Sequence, residues 1–322
     1  MRIALIGSSG QLGFDLARTL PARRHTVIPF AGRADLDICN TPAFIEMLQR
    51  DKPDAVINTA AFHNVDLCEK ETDAAYRTNV VAIRDLAKAC EAAHILFFQI
   101  GTDYVAEGFP DNKPIPESAP MHPNSIYSLT RFGGDCMTLT HAPTVGYVVR
   151  SCGLFGVAGC KLKGGLNFID TIIKKAREGA SGGGKKLRVV DDQIVAPTPT
   201  DDLAVQLAIM LEAAQSTAAV VAASALGGGT LGRPLSSVRL APGLYHAVSH
   251  GETSWYNFAR TALQLAGIPH DIEPVPSSVY AAPAQRPRYS VLDNAKLRAL
   301  HLDQMRPWEE GLKRYISAKY SA

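Results

Sequence analysis

The chain of 322 residues exceeds one ordinary domain and can bury a core without metals or disulfides, so a large domain with an attached lobe is expected. Its 33 Lys and Arg against 31 Asp and Glu give a formal charge of +2, which excludes the strongly basic face that a nucleic-acid polymer or an acidic membrane surface selects and points to a small-molecule partner. The cysteines at 39, 68, 90, 136, 152 and 160 form no CxxC pair or zinc-like cluster, and no apolar run approaches the ~20 residues of a membrane span, so a cytoplasmic protein with reduced thiols and no metal is expected, with a homodimer left open.

Along the first half, β-branched apolar runs at 1–6, 25–30, 55–58, 95–100 and 144–150 alternate with helix-period stretches at 12–20, 43–50, 73–93 and 126–140. Strands apolar on both faces and separated by helices predict a buried parallel sheet, an α/β fold of the doubly wound Rossmann type. A helix over 167–178, a strand over 187–190 and a helix from about Thr200, with Asp201 and Asp202 in its first turn, follow. The resulting division assigns 1–152 to a dinucleotide-binding domain, with 165–212 returning to the sheet, and 153–164 and 241–322 to a smaller substrate-binding lobe. Residues 179–186 and 213–233 read as low-complexity surface loops; within 213–240, set apart as an insertion, an Ala-rich helix could lie at about 214–225.

GSSGQLG at 7–13 follows the first strand and opens the first helix. Gly7 suits a tight turn, Gly10 lets backbone N–H groups approach a diphosphate, and Gly13 lets helix and strand pack, with Gln11 and Leu12 between them. The second strand ends in Phe30-Ala31-Gly32-Arg33, without the carboxylate that would bond a ribose diol; the Arg33 guanidinium favours a 2′-phosphate, hence NADPH, with NADH possible.

Tyr127 lies four residues before Arg131 in a predicted helix, so the two share a face, and a nearby cation favours the phenolate of a tyrosine that otherwise titrates near ~10. Thr102 follows the strand at 95–100, at the carboxyl end where open α/β sheets bind ligands. These residues fit a carbonyl reduction in which Tyr127 supplies the proton, Thr102 holds the oxygen and Arg131 stabilises the phenolate.

Around them run NTAAFHNVDLCE at 58–69, GTDYV at 101–105, YSLTR at 127–131, VVDDQIVAPTPTDDLA at 189–204, GLYHAVSHGETSWYNFAR at 243–260 and RPRYSVLDNAKL at 286–297. Taken in this order, the chain resembles the extended short-chain dehydrogenase/reductase superfamily and, within it, the dTDP-4-dehydrorhamnose reductase family of sugar-nucleotide reductases. The resemblance implies reduction of the 4-keto group of a dTDP-linked 6-deoxyhexulose in dTDP-L-rhamnose synthesis, with a Thr, Tyr and Lys site of which Thr102 and Tyr127 match the first two. It implies that Ala60, Ala61 and Phe62 line the cofactor, that Asn79 shapes the active-site helix, and that Asp103, Tyr104 and Arg286 belong to the sugar-nucleotide site.

Two departures stand out: Arg131 occupies the place of the family's lysine, and Ser151-Cys152-Gly153 stands where dehydrorhamnose reductases often carry a tryptophan. The first leaves a rival reading, a non-catalytic cofactor-binding regulatory subunit. A nucleotide-sugar epimerase or dehydratase is a second rival, although Tyr104 stands where a dehydratase carries Glu beside Asp103.

Overall fold

The computed structural model describes residues 1–106, 112–159, 164–181, 186–225, 239–269 and 271–320. The expected alternation is present in chain order as β1 (Arg2–Ile6), α1 (Gln11–Ala22), β2 (Thr26–Phe30), α2 (Thr41–Asp51) and β3 (Ala55–Asn58). Two short helices follow, α3 (Val65–Lys70) and α4 (Thr72–Tyr76), then a π-helical turn at Arg77–Val81, α5 (Ala82–Ala92) and β4 (Leu96–Thr102). After a 3-10 turn at Asp103–Ala106 come α6 (Ile126–His141) and β5 (Gly146–Ser151).

The main sheet is parallel with order β2-β1-β3-β4-β5 and a sixth strand, β8 (Gly243–His246), beside β5. Strand order reverses at β1 and β3, the point where such sheets open a crevice at their carboxyl ends. All residues of β3, β4 and β5 are buried, and period-two alternation divides the two faces. Ile3 and Leu5 pack with α1 and with α8 (Thr200–Ala225), whereas Ala4 and Ile6 pack with α2 and α5.

The second half departs from the expected division. Helix α7 (Phe168–Ser181) and β6 (Leu187–Val190) do not return to the main sheet; β6 pairs in parallel with β10 (Ile272–Val275). Only Val189 of β6 is buried, and a strand with one buried face cannot occupy the interior of a doubly covered parallel sheet. The short strands β7 (Ile194–Val195) and β9 (Thr253–Ser254) pair antiparallel, and α10 (Ala295–Ala299) packs beside β8; with α9 (Trp255–Leu265) and α11 (Trp308–Tyr320), α7, β6 and β10 enclose a separate core around Phe155, Ile169, Phe258 and Leu312. Within 165–212, α8 is the part that packs on α1, while β8 carries a piece of the expected lobe into the sheet. Helix α7 runs through Ser181 and α8 through Ala225, so part of each expected loop is helical; 182–185 and 226–238 lie outside the described residues.

Candidate active site

Gly7 holds φ +81°, and a Cβ there would meet the Thr59 Oγ1 at 2.5 Å. A Cβ on Gly13 would lie 2.1 Å from the Gly7 carbonyl oxygen, so the turn closes on itself only because both are glycine. Gly10 is the N-cap of α1 and offers no side chain to the first N–H groups, leaving those donors at the switch point for an anion. The cradle fits a dinucleotide diphosphate. The Gln11 carboxamide oxygen accepts the Gly156 amide at 3.1 Å, and Leu12 is buried in the sheet core. The Ser9 hydroxyl donates to the Ala31 carbonyl at 2.5 Å, drawing the loop with exposed Arg33 to the rim of this turn.

Thr102 ends β4 beside the Tyr127 phenol, where its side chain favours the phenolate. The hydroxyl and the phenol singled out in the sequence are therefore neighbours. Ser125 caps α6 in a reciprocal box with Ser128 and fixes the turn that carries Tyr127. Burial is the largest influence on the Tyr127 phenol and raises its pKa, while the Arg131 charge and the Thr102 side chain oppose it. The cation thus moderates a desolvated phenol instead of producing an acidic one, and a phenol kept protonated is what a proton donor requires.

Arg131, in the place of the family's lysine, turns to the sheet. Its side chain is buried against β4, with one terminal nitrogen donating to the Ile100 carbonyl and the Nε without a partner among the described residues. Asp103, expected to face substrate, is 3% exposed. Its carboxylate accepts from Thr102 at 3.2 Å, from Ser290 at 2.6 Å and from Cys152 at 3.1 Å, so it ties Thr102 to the C-terminal segment. Burial pushes the Asp103 carboxyl up, against the pull of those bonds.

Tyr104 packs edge-on against Tyr127, ring centres 5.4 Å apart, and Arg286 reaches Asp66 at 2.8 Å while remaining partly exposed. Asn79 sits in the π turn; its oxygen accepts the Phe62 amide at 2.9 Å and its nitrogen donates to the Phe62 carbonyl at 3.0 Å and to Thr130 at 3.1 Å. It therefore clamps the chain after β3, with Ala60 and Ala61 just before Phe62, against α6. Ser290 and Cys152 escape sequence reasoning as site residues, although Ser290 lies inside a quoted motif and Cys152 marks a noted departure.

A family model described as the RmlD substrate binding domain matches residues 1–321. Over 313 residues the chain is 34% identical to a dTDP-4-dehydrorhamnose reductase of Streptomyces griseus, covering 97% of this chain and 91% of that protein. A solved dTDP-4-dehydrorhamnose reductase of Clostridium acetobutylicum superposes with a TM-score of 0.80 at 32% identity, covering 99% of each chain. One from Bacillus anthracis, in complex with NADP, gives a TM-score of 0.80 at 29% identity and covers 98% of this chain and 99% of that one.

Proposed function

Because the chain belongs to the RmlD substrate binding domain family, we propose that it is an NADPH-dependent reductase of the 4-keto group of a dTDP-linked 6-deoxyhexulose, acting in dTDP-L-rhamnose synthesis. The observation that carries this reading is the juxtaposition of Thr102 and the Tyr127 phenol at the carboxyl end of β4, with Arg131 one helical turn beyond the phenol. When bound, NADPH supplies hydride to the carbonyl carbon.

Gly7, Gly10 and Gly13 with the start of α1 would hold its diphosphate, and Arg33 its 2′-phosphate. Thr102 positions the carbonyl oxygen and Tyr127 delivers the proton to it, while Arg131 stabilises the phenolate left behind. Tyr104, beside the phenol, and Arg286, near the same rim, are assigned to the sugar nucleotide, with Asp103 acting through Thr102. The cysteines 39, 68, 90, 136 and 152 are free thiols, which supports residence in the reducing cytoplasm.

The test is NADPH oxidation with dTDP-4-keto-6-deoxy-L-lyxo-hexulose, alongside Tyr127→Phe. Turnover in the wild type and a loss of at least about a hundredfold in the variant are expected; equal turnover removes Tyr127 as the proton donor. A non-catalytic cofactor-binding subunit is the second reading, favoured by Arg131 in the lysine position; NADPH binding without turnover in either protein would decide for it.

A further inference from the structure

Tyr127, Arg131 and Asp135 follow at four-residue spacing along one face of α6, and the third of them has no part in the reaction described above. Asp135 is 2% exposed and accepts a 2.8 Å bond from the Nε of Arg150, itself 2% exposed on β5. Burial pushes the Asp135 carboxyl up, and the charges of Arg150 and then Arg131 pull it down. The carboxylate beneath the phenol is thus bonded to one guanidinium and lies within the field of a second. Each guanidinium retains a buried nitrogen without a partner among the described residues, Nε on Arg131 and Nη1 on Arg150. Such buried charges are costly unless compensated, and Asp135 carries the opposite charge that Arg131 and Arg150 both feel.

The end of β4 is shaped to admit this cluster. Gly101 pairs in register with Arg150, and a Cβ on Gly101 would lie 2.7 Å from the Arg150 Cγ and 3.3 Å from the Asp135 Oδ1. On one side of Gly101, the Ile100 carbonyl receives Arg131; on the other, Thr102 lies beside the Tyr127 phenol. The ion pair therefore lies against Gly101, between the carbonyl that anchors the Arg131 guanidinium and the threonine beside the proton donor.

We propose that Asp135 is a positioning residue: paired with Arg150, it acts through its charge on Arg131, seated at the Ile100 carbonyl, and offsets part of the positive charge, leaving a net single positive charge beneath Tyr127. This rests on the reductase reading, and it explains how an arginine can serve where a smaller cation is expected. The phenol also faces Cys68 from α3 and Asp103 and Tyr104 from the turn after β4, groups that the variants below leave unchanged.

The test is the pH profile of kcat for the full enzyme with NADPH and the dTDP-linked ketosugar, with the NADPH Kd measured in parallel. Reduction needs the protonated phenol, so kcat falls as the phenol ionises. Asp135→Asn removes a negative charge and should move that alkaline limb about one pH unit lower, with the NADPH Kd within threefold of wild type. Asp135→Asn combined with Arg150→Met removes one charge of each sign and should bring the limb back, a rescue that a packing defect would not give. If the single variant does not fold, the double variant decides: kcat at least tenfold below wild type at unchanged NADPH Kd supports the proposal, and wild-type kcat overturns it. An unmoved limb in Asp135→Asn, or one displaced further in the double variant, also overturns it. No turnover by the wild type removes the reductase reading and this proposal together, whereas wild-type turnover with an unmoved limb removes the role of Asp135 alone.

Discussion

Gln11 and Gly156 join the two ends of the cofactor crevice: the Gln11 carboxamide oxygen accepts the Gly156 amide at 3.1 Å, so the turn after β1 is fastened to the chain leaving β5. Asn167 reinforces the link, donating to the Gly156 carbonyl at 3.3 Å and to the Tyr315 hydroxyl at 2.8 Å. Gln11→Ala leaves the Gly156 amide without its acceptor and should weaken NADPH binding by about tenfold, or about 1.4 kcal/mol, in a fluorescence titration. An unchanged Kd would show that the fastening is irrelevant to the cofactor.

Asn79 makes three side-chain hydrogen bonds, two to Phe62 and one to Thr130. Asn79→Ala should lower stability by about 2 kcal/mol in urea unfolding and raise the KM for NADPH, since the segment after β3 loses its hold on α6. A stability loss with unaltered KM would confine Asn79 to folding.

The main sheet was legible because buried parallel strands must be apolar on both faces, and the runs at 1–6, 55–58 and 95–100 satisfy that. Tyr127 and Arg131 were legible as a pair because helical spacing alone puts them on one face. What the spacing does not encode is where a long side chain ends: Arg131 turns to a carbonyl on β4, a choice made by the packing of α6 on the sheet. Asp103 meets Ser290 across 187 residues, a contact that no local pattern announces. The strand at 187–190 was legible as a strand, but its partner was not, because only the buried Val189 distinguishes a lobe strand from a sheet strand.

Gly13→Ala would drive a methyl group to 2.1 Å from the Gly7 carbonyl, whereas a Cβ on Gly32 meets nothing within 4 Å. The first substitution should lower stability by about 2–3 kcal/mol and abolish NADPH binding. Gly32→Ala should be nearly neutral in both measurements. Thermal unfolding and cofactor titration of the pair check this, and equal behaviour would contradict the close packing of the glycine turn.

His246 gives the molecule an acid-sensitive element. Burial, aided by the Arg150 charge, lowers its pKa from 6.5 to about 3. Its Nδ1 lies 3.2 Å from the Asp293 carbonyl, which can only accept, so the neutral ring carries its proton there. The folded pKa lies below the unfolded one, so the unfolded chain takes up the proton first as pH falls. The stability contribution is therefore complete above pH 6.5 and declines as pH falls from 6.5 towards 3. His246→Gln, which keeps a donor for Asp293, should flatten this decline by about 1 kcal/mol per pH unit in urea unfolding at pH 5 to 6. Parallel curves for the two proteins would show that His246 is not the source.

β5 ends at Ser151, yet the strand that covers its outer edge, β8, begins only at Gly243. During synthesis that edge must wait, its amides and carbonyls unpaired, while α7, β6 and α8 leave the ribosome, although every other neighbour in the sheet has already been made. A nascent or truncated chain ending short of β8 therefore presents, at β5, a second open edge for pairing with other chains.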